Sequence, residues 1–279
     1  MKGSYYKLSD QDRENLEFHK LTFIEIDSIG FDILDGALSG EVIDDHLIPI
    51  RSLLYRLLEF NDTLSVMVEN SLINTAFSIV RSSFEILVQL RFILSNADEM
   101  PLKAMTYHYC DYRQRYNDNE IDDFNSRMEE SVHFSKIHED SNTLPNSKKI
   151  PWYSVYLKKR TTFRDLCENV DFSDRYLKLY PHLSSDIHGN SCLELNTVCL
   201  EDGGKYYLRN FRHFERHHSL TVLQIDFMRH VYADLNNRFD LGRELSERIN
   251  QYYDRAEAHL NTYWTIKESD FDPLPEYSI

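Results

Sequence analysis

The sequence predicts an all-α protein, a multi-helix bundle with one small β-hairpin near residues 197–208. Glycine and proline are scarce, at 8 and 7 of 279 residues, whereas an average protein contains roughly 7% and 5% of them. This composition disfavours the many turns of an all-β fold. Long stretches repeat apolar residues at helical spacing, and no linker divides the chain. We therefore expect a single helical domain over residues 1–279.

The first two helices are predicted from apolar periodicity and from capping signals. Ser9, followed three residues later by Asp12, resembles the capping box that opens a helix, and apolar residues continue at helical spacing to Ile33. A second helix is predicted over residues 42–60. Pro49 is expected to kink it, because proline removes a hydrogen bond inside a helix.

The third helix contains the most apolar stretch of the chain. Asn61 or Asp62 is expected to cap it, and the pattern continues to about Asn96. Residues 77–94 read FSIVRSSFEILVQLRFIL and are apolar on nearly every side, as in a helix buried inside a larger assembly. A fourth helix is expected to begin at Pro101, because proline suits a first helical turn.

The middle of the chain is less regular. Residues 136–151 are rich in turn-forming residues and predict a flexible loop. Thr162 is expected to cap one short helix and Ser173 another that ends at Tyr180. A further helix is predicted to begin at Pro181.

The last third of the chain combines a hairpin with two long helices. Two short apolar runs flank the turn sequence EDGG, which predicts the hairpin at residues 197–208. Helical periodicity then returns over residues 211–239 and 244–269.

Charge and cysteine content restrict the classes of function. A formal net charge of −15, from 46 acidic and 31 basic residues, disfavours attraction of nucleic acid or anionic membrane to the whole surface. The four cysteines contain no C-x-x-C pair, so neither a zinc ribbon nor a disulfide framework is indicated. No apolar signal segment or membrane span is recognisable, and we expect a cytoplasmic protein without membrane contact.

The first candidate site combines Arg81 and Glu85 with the later segment SSDIHGN, which contains His188. A charge inside an apolar helix is costly unless it is paired and hydrogen-bonded, so partners must come from elsewhere in the chain. Glu85 could hold a proton or orient His188, while Arg81 could bind a phosphate or carboxylate. Alternatively, the three residues form a structural network that pins a loop to the bundle.

The second candidate site is the segment RNFRHFERHH, residues 209–218. It is locally basic, and the start of a helix adds attraction for phosphate. Within it, Arg212 and His213 precede His217. In metal-independent RNA cleavage a histidine can move the 2′-hydroxyl proton while an arginine stabilises the developing charge. The alternative is a solvated basic helix start.

Neither a metal nor a cofactor is expected. His213 and His217 have the i, i+4 spacing that can hold zinc, but the sequence HFERH lacks the glutamate of H-E-x-x-H. Phosphate-binding glycine motifs and the G-x-S-x-G motif do not occur in the sequence.

Three segments together resemble a set of uncharacterised bacterial helical proteins. They are VRSSFEIL at residues 80–87, the aromatic-rich residues 107–116 and LSSDIHGN at residues 183–190. The all-helical plan is similar to that of the HEPN (higher eukaryote and prokaryote nucleotide-binding) superfamily. The resemblance covers roughly residues 61–230.

Many HEPN proteins are dimeric, metal-independent ribonucleases of toxin–antitoxin and phage-defence systems. Their signature is an arginine, often followed by a polar residue, with four to six residues between it and a histidine. Arg212, His213 and His217 match it. The resemblance therefore implies a homodimeric endoribonuclease that binds RNA, with Arg81, Glu85 and His188 supporting it or forming a second site.

The residues leave a second function open, and whether the protein is an enzyme at all is undecided by the sequence. A non-catalytic helical module would bind a nucleotide, an antitoxin or another protein partner, and the same residues would then be structural. The net charge favours this module, whereas the local basic segment favours the ribonuclease.

Overall fold

A computed structural model describes most of the chain. The described residues are 10–38, 45–70, 72–115, 133–143, 150–185, 198–201, 205–208 and 217–267.

The described chain is mostly helical, which confirms the all-α class. Its helices are α1 (Asp10–Asp35), α2 (Leu47–Glu69), α3 (Ile73–Leu94), α4 (Met100–Arg115), α5 (Phe134–Thr143), α6 (Trp152–Tyr156), α7 (Phe163–Asn169), α8 (Ser173–Ser185), α9 (His217–Arg238) and α10 (Arg243–Lys267).

Helix α3 lies at the centre of the bundle. It packs against α2, α4, α7, α8 and α9, while α1 covers α2 and α9. Most of its apolar side chains are buried, and Val80, Phe84, Leu87 and Ile93 are fully buried. The expectation of a buried helix over residues 77–94 is therefore confirmed.

The boundary between α2 and α3 lies later than the sequence predicts. Helix α2 continues through Asn61 to Glu69, and α3 begins at Ile73. The Asn61 side chain is fully buried and donates to the Phe23 carbonyl at 3.3 Å and to Asp27 Oδ1 at 2.9 Å. The predicted cap was wrong because the side-chain NH2 group of Asn61 donates to α1 from the middle of α2 instead of ending a helix.

Both prolines that were expected to change the helices are accommodated. Pro49 lies in the first turn of α2, where a missing N–H costs little, so it does not act inside the helix. Pro181 lies inside α8, so the two helices predicted on either side of it are one. Pro181 is exposed, which leaves room for its ring on the outer side of that helix.

The first half of the loop predicted at 136–151 is helical. Helix α5 covers Phe134–Thr143, buries Ile137, and pairs Asp140 with Lys158 at 2.7 Å. These tertiary contacts outweigh the turn preferences of its polar residues. Residues 144–149 lie outside the described part of the chain.

Two short segments, Val198–Glu201 and Lys205–Leu208, pair as antiparallel strands, with Val198 opposite Leu208. The residues on both sides of them and in the turn lie outside the described part of the chain. The hairpin therefore stays a prediction as a part of the fold.

In the described ranges, no helix is both long enough and apolar enough to cross a lipid bilayer. Even α3, with the highest apolar content, carries Arg81, Glu85 and Arg91.

The contact between α1 and α2 predicts how stability changes with pH. Burial raises the pKa of Asp27 from 3.8 to about 6, although the hydrogen bond from Asn61 lowers it. An acid whose pKa is raised in the folded state keeps its proton to a higher pH in the folded chain than in the unfolded chain. The free energy of unfolding therefore falls as pH rises from about 4 to 6. Asp234, whose pKa burial likewise raises to about 6, adds to the same change.

We expect Asp27→Asn to remove part of this decline and to raise the free energy of unfolding at pH 7 by on the order of 1 kcal/mol. Urea unfolding between pH 4 and 8 measures both effects. Glu14→Gln, an exposed substitution on the same helix, is the control. Equal slopes against pH for Asp27→Asn and the parent chain would show that Asp27 does not retain a proton on folding.

Candidate functional site

An open cleft of about 500 Å³ lies between α3 and α4, and α6, α7 and α8 complete its walls. Two carboxylates, Glu85 and Asp111, and two amides, Gln89 and Gln114, face into it. The remaining walls are mostly aromatic. We refer to this space as the aromatic cleft.

Glu85, Arg81 and Tyr180 form a closed triangle of hydrogen bonds at one side of the aromatic cleft. Arg81 Nε donates to Glu85 Oε1 at 3.1 Å, and Arg81 Nη2 donates to the Tyr180 hydroxyl at 2.9 Å. That hydroxyl donates in turn to Glu85 Oε1 at 2.8 Å. The side chains of Arg81 and Glu85 are 19% and 34% exposed, so the pair lies at the edge of the core.

The triangle keeps Arg81 charged and Tyr180 protonated at neutral pH. Burial lowers the pKa of Arg81, but the Tyr180 hydrogen bond and the charge of Glu85 outweigh it and raise that pKa above its usual value. Burial, followed by the hydrogen bond to Glu85, raises the pKa of Tyr180. Tyr180 therefore acts as a hydrogen-bond donor to Glu85.

Gln89 connects α3 to the aromatic wall. It lies one turn beyond Glu85, and its Nε2 donates to the Glu85 carbonyl at 3.1 Å. Its Oε1 accepts a hydrogen bond of 2.8 Å from Trp152 Nε1. The Trp152 ring then meets Tyr107 edge to face, with 5.6 Å between ring centroids. Both amide atoms of Gln89 are thus occupied, which holds Trp152 in place.

Several polar atoms of the aromatic cleft have no partner among the described residues. Glu85 Oε2 and Asp111 Oδ2 accept no hydrogen bond there, since Arg81 and Arg115 bind the other oxygen of each carboxylate. In the same part of the chain, the hydroxyl of Tyr153 is also without a partner, although this residue is only 8% exposed. The hydroxyl of Tyr107, which also lines the cleft, likewise has no hydrogen-bond partner among the described residues.

The two unpaired phenols are protonated at neutral pH. Burial raises the pKa of Tyr153 to about 12, with smaller contributions from Tyr180 and Glu85. Burial and the charge of Asp111 raise the pKa of Tyr107 to about 12. Each hydroxyl can therefore both donate and accept a hydrogen bond from a bound molecule.

A second charged network positions α8, and with it Tyr180. Arg175, at the start of α8, pairs with buried Asp226 of α9. Arg229 binds the other Asp226 oxygen at 2.8 Å, so one buried carboxylate is shared by two guanidinium groups. Arg91 of α3 donates to the Val170 carbonyl, just before α8, at 3.2 Å.

Comparison with known proteins assigns the chain to a family. Residues 47–207 match the model of DUF5677, a family of unknown function. This range is more than half of the 279 residues. The chain belongs to the DUF5677 family. No curated protein and no solved structure matches it.

The DUF5677 match contains every residue that lines the aromatic cleft, from Glu85 to Tyr180. It ends before Arg212, His213 and His217. The expectation of an uncharacterised family is confirmed, while the resemblance to HEPN proteins stays a prediction.

Among the described residues, the structure brings together two of the six site residues predicted from sequence. Arg81 and Glu85 are bonded, as their spacing indicated. His188, Arg212 and His213 lie outside the described residues of this DUF5677 protein. His217 is the first residue of α9, and its side chain lies outside the described part. The catalytic roles of these six residues stay predictions.

Tyr180 is a further partner of Glu85 among the described residues, and the sequence did not predict it. The sequence also did not predict the roles of Gln89, Trp152, Asp111 and Tyr153 in the cleft. One signal was available, because Arg81, Glu85 and Gln89 follow one another at i, i+4 and i+8, on one face of a helix. Tyr107, Asp111 and Gln114 on α4 have the similar spacing i, i+4 and i+7, which also places them on one face of a helix.

Within the described ranges, no group of three or more histidine, cysteine, aspartate or glutamate side chains is arranged to hold a metal ion. Cys110 and Cys167 are free thiols, and burial raises the pKa of both to about 12.

Tyr180→Phe tests the triangle. Loss of the hydroxyl removes one donor from Glu85 and one acceptor from Arg81, so we expect the free energy of unfolding to fall by about 1–2 kcal/mol. Urea unfolding at pH 7 measures this loss. Tyr176→Phe is a matched control, because its ring stacks on Tyr180 at 5.0 Å and no described residue bonds its hydroxyl. Equal losses of unfolding free energy in both variants would show that the triangle does not stabilise the fold.

Proposed function

We propose that this DUF5677 protein is a binding module that holds a small organic molecule in the aromatic cleft. The observation that carries the proposal is a set of polar atoms without a hydrogen-bond partner among the described residues, on Glu85, Asp111, Tyr107 and Tyr153, beside aromatic rings in a space of about 500 Å³. Ligand sites are typically clefts of this size in which a few polar groups converge.

The acid–base properties of the walls support binding over proton transfer. A general acid or base works best when its pKa lies near the operating pH. In the aromatic cleft, the pKa values of Tyr107 and Tyr153 are about 12, and that of Tyr180 is raised. These groups donate and accept hydrogen bonds without exchanging protons with a ligand at neutral pH.

The walls also indicate which part of a molecule would enter. Glu85 and Asp111 line the aromatic cleft, and their carboxylates repel phosphate. A nucleotide would therefore have to place its base, and not its phosphates, between the aromatic rings. A protein partner would have to insert a single side chain.

A fragment screen tests whether the aromatic cleft binds small molecules. The chain contains two tryptophans, so a Trp264→Phe background leaves Trp152 as the fluorescent reporter in the cleft wall. We expect fragments of roughly 10–15 non-hydrogen atoms to change its emission saturably, with Kd values in the micromolar to millimolar range.

Gln114→Phe adds bulk at the mouth of the aromatic cleft and should weaken this binding at least tenfold. Gln114 is exposed, so the variant is expected to fold; Gln251→Phe, exposed on α10, is the matched control. Absence of saturable binding to the parent chain, or unchanged binding to Gln114→Phe, would contradict the proposal.

A second candidate function is the metal-independent endoribonuclease implied by the HEPN resemblance, acting as a homodimer in toxin–antitoxin or phage defence. The basic segment at residues 209–218 supports it, because this segment opposes the net charge of −15 and leads into α9, which begins at His217. The amino end of a long helix attracts phosphate. Arg212 and His217 would act at the phosphate, and His213 would be the polar residue of the signature.

RNA cleavage in EDTA tests this second function. If it is correct, purified protein degrades cellular RNA, and Arg212→Ala or His217→Ala lowers the rate at least a hundredfold. Arg243→Ala, an arginine with a side chain that is 93% exposed, should leave the rate unchanged. Intact RNA with the parent chain would exclude the ribonuclease, and equal rates in all variants would exclude these residues from its site.

A further inference from the structure

We infer that the ligand of the aromatic cleft is an organic cation that carries a primary ammonium or guanidinium group. This inference rests on the proposed function, since it names the chemistry of the molecule that the cleft binds.

The charged atoms that face the cleft are all acceptors. Glu85 and Asp111 line it, whereas Arg81 and Arg115, which bind Glu85 Oε1 and Asp111 Oδ1, do not. Among the described lining residues there is no lysine or arginine. Each arginine therefore orients its carboxylate and leaves one oxygen free to accept from a cation.

A largely buried tyrosine completes the polar surroundings. Tyr153 is 8% exposed and lines the cleft, and its hydroxyl has no hydrogen-bond partner among the described residues. A ligand that fills the cleft removes water from this hydroxyl, which then needs a new partner. An N–H donor bound beside Tyr153 would satisfy it, and so would provide affinity beyond charge alone.

The aromatic walls favour a cation over a neutral polar group. The faces of tyrosine and tryptophan rings carry partial negative charge and attract ammonium and guanidinium ions. Tyr180 already uses one face in this way, with the Arg81 guanidinium carbon 5.0 Å from its centroid. Tyr107 and Tyr153 also line the cleft, and no lysine or arginine of the described chain is stacked on either ring.

A metal cation fits this site poorly. Calcium takes six to eight oxygen ligands and magnesium six, with carboxylates prominent among them, whereas only two carboxylates line the described walls and the described residues contain no group of three or more potential His, Cys, Asp or Glu ligands. An organic cation needs fewer oxygens, because its carbon chain packs against the rings.

Binding of three compounds of similar size and different charge tests the inference. They are phenethylamine, 2-phenylethanol and 3-phenylpropanoate, which are cationic, neutral and anionic at pH 7. We expect phenethylamine to bind at least tenfold more tightly than 2-phenylethanol, and 3-phenylpropanoate more weakly still. Isothermal titration and Trp152 fluorescence measure the Kd values.

Charge-neutralising variants show which atoms bind the cation. Glu85→Gln and Asp111→Asn should each weaken phenethylamine at least fivefold and leave 2-phenylethanol within twofold. Glu247→Gln is the matched control, since Arg243 and Glu247 repeat the Arg81 and Glu85 spacing on exposed α10. If Glu85→Gln fails to fold because it weakens the triangle, Asp111→Asn alone decides, as Asp111 bonds only Arg115 of its own helix among the described residues.

The outcomes separate the inference from the proposed function. If 2-phenylethanol or 3-phenylpropanoate binds as tightly as phenethylamine, and Gln114→Phe weakens that binding, the cleft is a binding site but its preference for a cation is wrong. If none of the three compounds binds and the fragment screen is also negative, both the proposed function and the inference fail.

Nα-acetyl-lysine-N-methylamide and putrescine distinguish the two sources of an ammonium group. Tighter binding of the former indicates a protein side chain, and tighter binding of the latter a free amine.

Discussion

The polar side of an otherwise apolar helix determines how this bundle is assembled. Helix α3 is covered by five other helices, yet it carries Arg81, Glu85, Gln89 and Arg91. A polar group that loses water must find another partner, or its burial is destabilising. Each of these side chains has such a partner, and the partners lie on different parts of the chain.

Those partners set the positions of the shorter helices. Tyr180 ties α8 to Arg81 and Glu85, Trp152 ties α6 to Gln89, and the Val170 carbonyl receives Arg91. Because hydrogen bonds need close and directed contact, they help to define the orientation of these short helices. The short helices then stand beside α3 and α4 and enclose the aromatic cleft.

The same constraint explains why polar atoms of the cleft have no partner among the described residues. Arg81 and Arg115 reach Glu85 and Asp111 from the side and occupy one oxygen of each. Tyr153 is held by packing, and its hydroxyl reaches no described partner. Such groups lower the stability of a scaffold and are common at sites that bind other molecules, where a ligand satisfies them.

The sequence by itself determined the helical class, the central buried helix, the Arg81 and Glu85 pair, and the helix cap at Thr162. The structure shows that this cap is a capping box with Asp165. These features depend on residues within a few turns of one another, so apolar periodicity and spacing encode them. Only the tertiary structure decided that Tyr180, 95 residues beyond Glu85, completes the pair. It also decided that Asn61 joins two helices instead of capping one. Partners so far apart are selected by packing, because many polar residues could satisfy Glu85 and only the folded chain brings one within 3 Å.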